Sequence, residues 1–269
     1  MSEASFYSFM GFDSARARKA RAFYVPLFRG CRNVLDVGCG RGEFLEELGA
    51  AGIPGVGVDQ DAEMVAAARK AGLMVELADA FAFLRRSPSS FDGIFSAHLI
   101  EHLPYDRAAE LLGLCFQALQ PGGRIVVCTP NSASLPTLQH QFWWEPTHVR
   151  LYDIELLRFM LAEAGFTDLA GGENPDNHPG SPVDLEALTV SKIEPLRGPR
   201  RVVRRMGRVG RTLANTFRRS RTEQLDQRTQ ADHHHLTVVA ESLKELLRQL
   251  YVSSEVYVSG RKSEPAAPA

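Results

Sequence analysis

The chain predicts an α/β fold, a mostly parallel β-sheet with helices on both faces. Three observations carry this. Short apolar runs alternate with helical patterns through the first half, and strands separated by helices of about 10 to 15 residues are the signature of βαβ units. The first apolar run feeds a glycine-rich turn that opens a helix. Right-handed crossovers then place helices on both faces, with ligands bound at the carboxyl ends of the strands.

Each element follows in order. Residues 33–37 form the first strand and 43–51 the first core helix. Residues 56–59 are the second strand, followed by a helix over 62–71; 74–77 are the third strand. Residues 92–96 are the fourth, with a helix over 105–119. Pro121-Gly122-Gly123 turns the chain into a fifth strand, 124–129, ended by Pro130. Asp153 caps a helix over 154–164 that Gly165 closes, and 166–169 form a sixth strand. The Gly/Pro/Asn-rich residues 171–182 read as loop, 236–250 as the last helix and 255–259 as the last strand.

Composition narrows the function. The length of 269 residues suits one large domain with an insertion. At 44% hydrophobic and 23% charged residues, wholesale disorder is excluded. No apolar run reaches the roughly 20 residues of a membrane span. The first residues lack a basic-then-apolar leader, so no secretory signal is expected. Four cysteines without a CxxC pair exclude a zinc ribbon and suit a reducing cytoplasm. Between Pro195 and Arg221 lie ten arginines and no acid; outside that stretch 21 basic residues face 32 acidic ones. That excess of acid excludes a general nucleic-acid-binding surface.

The segment Val34-Leu35-Asp36-Val37-Gly38-Cys39-Gly40-Arg41-Gly42 is the most informative. Gly38 and Gly40 let backbone approach a ligand with no Cβ in the way. A dinucleotide fingerprint needs its third glycine five residues after the first; Gly42 comes four after Gly38, and Asp36 stands two before it. A carboxylate there suits a cationic ligand, not a pyrophosphate. Asp59 ends the second strand, where an acid accepts both hydroxyls of a ribose, and Asp79 ends the third.

This pattern resembles motif I of the class I S-adenosylmethionine-dependent methyltransferases, and 34–131 follow that family's motif order. The resemblance covers about residues 6–182 and 236–262 and implies a Rossmann-like seven-stranded sheet with an antiparallel last strand; the helical insertion before that strand is this chain's own. It implies S-adenosylmethionine as methyl donor, held by Asp36, Gly38, Cys39, Gly40, Asp59, Gln60, Asp79, Ala80 and His98. An arginine of the lead-in meets the cofactor's carboxylate; Arg21 is chosen over Arg16 and Arg18.

His98-Leu99-Ile100-Glu101-His102 carries the letters of an inverted zinc-protease site, but Pro104 follows too soon for a helix interior. In the methyltransferases a Glu-His pair at this place lies beside the sulfonium, which makes His98 and His102 candidates for catalysis. Some quinone-pathway relatives hold a divalent cation with an acid and this pair; here His98 replaces the acid, and no metal is assigned. After the fifth strand, Trp143, Trp144, His148 and Arg150 form the candidate acceptor site, with His148 the first choice of base. The wording W-x-P-T-H-x-R is similar to bacterial methyltransferases acting on polysaccharide ends and sugars, which implies O-methylation of a sugar, glycan end or phosphosugar in polysaccharide biosynthesis. The alternatives are a small-molecule or quinone-type O-methyltransferase and a non-catalytic cofactor-binding module.

The expected organisation is a lead-in over 1–32, a core over 33–191 and 251–262, an insertion with the final helix over 192–250, and a tail over 263–269. Val202, Met206, Val209, Leu213 and Phe217 fall on one stripe of a basic helix. That stretch, 197–221, has three readings: an anionic membrane surface at the inner face of a cytoplasmic membrane, an anionic acceptor, or packing on the acidic core. Asp232-His233-His234-His235 reads as a solvated turn.

Overall fold

Period-two burial builds the centre of the sheet. Ile94 and Ile125 enter one apolar layer while their neighbours Phe95 and Val126 enter the other, because successive strand side chains point to opposite faces. A sheet buried on both faces needs this apolar continuity. A computed structural model describes residues 14–178 and 208–264, with side chains of the last helix from 227 on, 229 excepted.

The strands are β1 (Val34–Val37), β2 (Gly55–Asp59), β3 (Val75–Leu77), β4 (Phe91–Ala97), β5 (Leu119–Pro130), β6 (Thr167–Glu173) and β7 (Glu255–Arg261). They form one seven-stranded sheet in the order β3-β2-β1-β4-β5-β7-β6. Strands β1 to β5 pair in parallel; β7 runs antiparallel to both neighbours. The sheet and its antiparallel last strand are as predicted. The α-helices of six residues or more are α1 (Ser14–Ala22), α2 (Glu43–Ala50), α3 (Ala62–Lys70), α4 (Ala80–Arg85), α5 (Tyr105–Ala118), α6 (Ile154–Glu163) and α7 (Arg208–Leu250), and the loop after β5 holds a short π turn, Thr137–Gln141, and an α turn, Phe142–Trp144.

Four expectations are corrected. The Pro121-Gly122-Gly123 turn is taken into β5 as an irregularity, since Leu119 pairs with Phe91 and Arg124 with Gly93. Helix α4 escapes the periodicity because six residues are too few to show a repeat. Gly171 and Gly172 belong to β6, not to a loop: a Cβ on Gly171 would stand 2.5 Å from the Tyr257 carbonyl oxygen, so glycine permits the strand's close approach to β7. The residues 232–235 lie inside α7 rather than in a turn, and no Gly or Pro between 211 and 250 stops that helix.

The described residues fall into two compact units, 14–178 with 251–264, and α7. The expected boundary at 191/192, the lead-in before 14 and the basic stretch before 208 lie outside the described residues. No helix among the described residues is long and apolar enough to cross a membrane.

Candidate active site

Left-handed backbone shapes the turn after β1. Gly38 has φ +72°, and a Cβ there would press on Leu99 at 3.3 Å; Gly40 has φ +53° and faces open space. Asp59, at the end of β2, braces the turn. Its Oδ2 accepts the Gly40 N–H at 2.8 Å and its Oδ1 the Asp61 N–H at 2.8 Å. Each carboxylate oxygen has a second lone pair, so the pair of acceptors is aimed and still able to take two hydroxyls. Asp61 caps α3 through Oδ1. Asp79 caps α4 by accepting the Ala82 N–H at 2.9 Å, the local role that a strand-end acid often has. Gln60 is exposed, Ala80 half-buried and Cys39 buried. Burial pushes the Asp36 carboxyl up to about 8, against the pull of Arg21.

A second group assembles at the same edge around Glu255, which sequence reasoning missed. Because β7 is antiparallel, its first residue lies beside Pro130, the last residue of β5. Glu255 is fully buried. Its Oε2 accepts from Arg21 Nη1 at 3.0 Å and meets His98 Nε2 at 2.5 Å; its Oε1 accepts from Tyr24 Oη at 2.5 Å and Asn174 Nδ2 at 2.8 Å. An acid opening an otherwise apolar strand, Glu255-Val256-Tyr257-Val258, was the available signal. Burial alone would raise Glu255, but Arg21 and His98 hold it well below the usual carboxylate range.

His98 lies between two carboxylates. Its Nδ1 is 3.0 Å from Glu101 Oε1 and its Nε2 faces Glu255. Burial would lower its pKa, yet the two hydrogen bonds raise it to about 9. As an imidazolium donating both N–H groups it has no lone pair, which corrects its expected role as a base. Arg21 likewise meets a carboxylate of the protein where a cofactor carboxylate was expected, and Arg18 pairs with Glu46 at 3.2 Å.

The loop after β5 returns to Glu101, whose backbone oxygen accepts from the N–H groups of Val149 and Arg150 at 2.8 and 3.2 Å. This sets His148 against His102, with ring centroids 4.7 Å apart. Phe142 is buried and stacked on His148 at 4.6 Å, whereas Trp143 and Trp144 are 66% and 55% exposed. Trp143 still meets Phe142 edge-on at 5.1 Å and donates its Nε1–H to the Leu138 carbonyl at 2.9 Å. Arg150 lies over the Tyr152 ring at 4.9 Å. Burial lowers the pKa of His102, against the pull of Glu101 and Glu145. Among the described residues, Glu101, His102 and His148 are the group able to hold a metal.

A mostly parallel sheet with an acid-braced glycine turn at its carboxyl edge and a histidine-bearing loop beyond it is the arrangement of a cofactor-binding α/β enzyme fold. Residues 9–170 match the methyltransferase domain family, and the chain belongs to it. It is similar to a ubiquinone biosynthesis O-methyltransferase of Xylella fastidiosa (strain 9a5c), 37% identical over 113 residues, covering 40% of this chain and 44% of that one. Another protein of that name, from Idiomarina loihiensis, is 31% identical over 52% of this chain and 63% of its own length. The matches thus span under two thirds of these curated relatives. A solved SAM-dependent methyltransferase from Archaeoglobus fulgidus is 26% identical, with a TM-score of 0.68 over 96% of this chain and 98% of that one.

Proposed function

We propose that this protein transfers the methyl group of S-adenosylmethionine to a hydroxyl oxygen of a small-molecule acceptor. The observation that carries it is the placement, beyond the carboxyl ends of the adjacent parallel strands β1 and β4, of the Asp59-braced glycine turn and of the facing imidazoles of His102 and His148. The curated relatives named O-methyltransferases support oxygen as the acceptor atom and a small molecule over a glycan. Against this, Trp143 and Trp144, in the same loop as His148, are largely exposed, which favours a sugar ring as the second reading.

The reaction is an in-line displacement: the acceptor oxygen bonds to the methyl carbon, the carbon–sulfur bond breaks, and sulfur leaves as a neutral thioether. Alignment of the three atoms supplies most of the acceleration. In this reading Asp59 takes the ribose hydroxyls and Gly38, Cys39 and Gly40 line the cofactor's path. Asp36 answers its positive charge, Asp79 and Ala80 border the adenine with Gln60 alongside, and His98 lies near the sulfonium. The hydroxyl proton passes to a neutral imidazole, His148 first and His102 next to it. Arg150 suits an anionic acceptor group.

The test is a labelled-methyl transfer assay with polyphenol, quinol and glycan acceptors, the products identified by mass spectrometry. Label on a phenolic or quinol hydroxyl supports the first reading and label on a sugar hydroxyl the second; transfer to nitrogen or carbon, or to none of them, overturns both.

A further inference from the structure

Arginine faces arginine across the end of the sheet opposite the candidate active site. Strands β5 and β7 pair Arg124 with Arg261 at one end of their ladder and Pro130 with Glu255 at the other. At about 3.3 Å per residue the two ends lie about 20 Å apart. Side chains directly opposite share a face of the sheet, and like charges there are unfavourable. Both guanidiniums act on one point: burial raises the pKa of the Cys31 thiol, and Arg124 and Arg261 each pull it back.

Neither arginine has an acid to answer it. Arg124, half-buried, donates from Nη1 to the Leu27 carbonyl oxygen, and the exposed Arg261 donates from Nη1 to that of Gly122 at 3.4 Å. Among the described residues neither forms an ion pair. A guanidinium has five N–H groups, so most of their donors stay open.

The two arginines line an open cleft of about 160 Å³ with Leu27, Val126, Ser259 and Asp168. Asp168 stands at a register break in β6, between Thr167 and Ala170, with φ +53°. Left-handed backbone is uncommon outside glycine, and Asp is among the residues that tolerate it. A bulge re-aims a side chain; here it brings Asp168 to the cleft, yet Asp168 pairs with neither arginine. Ser259 Oγ gives its proton to the Ala170 carbonyl oxygen at 3.3 Å and keeps its lone pairs. The cleft thus offers charged donors on one side and acceptors on the other. Its volume is below the roughly 300–1,000 Å³ of pockets for drug-sized ligands, which suits one charged group with a few atoms attached.

We propose that this cleft binds a small phosphate monoester carrying a free hydroxyl, with the phosphate between Arg124 and Arg261 and the hydroxyl on Asp168. A guanidinium gives two parallel N–H groups to phosphate oxygens, and two guanidiniums balance the charge of a phosphate dianion. Asp168 repels bare phosphate and accepts from a hydroxyl, so it selects the ester over the inorganic ion. Arg124 also holds Leu27, in the turn Val25–Phe28 that follows α1; the occupied site therefore braces the segment between α1 and β1. None of these residues belongs to the machinery of the proposed function.

The test is calorimetric titration of the full-length protein with glycerol 3-phosphate and, separately, with inorganic phosphate, in chloride at constant ionic strength. Each titration is run with and without saturating S-adenosylhomocysteine. One equivalent of glycerol 3-phosphate is expected, bound more tightly than inorganic phosphate, indifferent to S-adenosylhomocysteine, and raising Tm. Arg124→Gln and Arg261→Gln should each weaken it by about tenfold or more, the loss of one hydrogen bond between charged groups. Arg85→Gln removes the same charge elsewhere and should leave binding unchanged. Asp168→Gly suits the left-handed backbone and should abolish the preference for the ester. No saturable binding of either phosphate overturns the site, as does binding displaced by S-adenosylhomocysteine or undiminished in folded Arg261→Gln. Equal binding of the two phosphates by wild type overturns the ligand class. Arg261 is exposed, so its variant decides if Arg124→Gln fails to fold. Failure here leaves the methyl-transfer reading standing, and a failed transfer assay leaves this site standing.

Discussion

The Glu255 carboxylate accepts a hydrogen bond from the Arg21 guanidinium at 3.0 Å, across 234 positions of sequence. It ties the helix that precedes the sheet to the strand that ends it. Removing the acid leaves Arg21 and protonated His98 without their shared partner. Glu255→Ala should therefore destabilise the protein by about 3–5 kcal/mol, the cost of breaking a buried pair from one side. Urea unfolding with matched m-values measures it, and a loss below about 1 kcal/mol would show that the cluster contributes little.

The same cluster sets a pH dependence. His98 titrates near 9 in the folded protein and near 6.5 when unfolded. A raised pKa contributes stability that is fully present below about 6.5 and is lost as pH rises through about 9. Asp36 also titrates high, near 8; its buried anion costs stability as pH rises from about 4 to 8. Wild-type Tm should fall from pH 7 to 9.5, and His98→Asn should flatten the part of that fall above pH 8. An unchanged slope in the variant would place the titration elsewhere.

Asp36 also yields a linkage to the cofactor. At pH 7 its carboxyl is mostly protonated in the free protein. A cationic ligand alongside favours the carboxylate, so binding of S-adenosylmethionine should release a proton. Binding enthalpies in buffers of different ionisation enthalpy read this directly, and Asp36→Asn should abolish the buffer dependence.

Asp59 carries two burdens, the backbone of the glycine turn and the proposed ribose contact. Asp59→Ala should weaken S-adenosylhomocysteine binding by at least about 1.5–3 kcal/mol, the worth of one hydrogen bond to a charged group. Calorimetry on a variant with wild-type circular dichroism tests it; unchanged affinity removes Asp59 from the site.

If His148 takes the acceptor proton, His148→Ala should lower turnover by about 10²–10⁴ with little change in cofactor affinity. The wild-type pH–rate profile should then rise with pH, because only a deprotonated base accepts the hydroxyl proton. A flat profile with severe loss in Arg150→Ala would point to a phosphate acceptor instead.

Local signals determined much of this protein from sequence alone. Strand spacing, the Asp36-to-Gly42 turn and the acids at 59 and 79 all lie within short windows where backbone sterics and period-two burial act. The sheet they predict is the sheet observed, and the methyltransferase family followed from the same residues. What only the tertiary structure decided depends on chain return. An antiparallel β7 carries Glu255 back to the edge where the parallel strands end, and the Glu101 carbonyl pulls the loop after β5 inward until His148 faces His102. Those meetings convert His98 from a candidate base into a half-buried cation between two carboxylates and give Arg21 a protein partner. No periodicity records a contact between positions 157 or 234 residues apart, because the strand register and sheet order that create it are properties of the assembled fold.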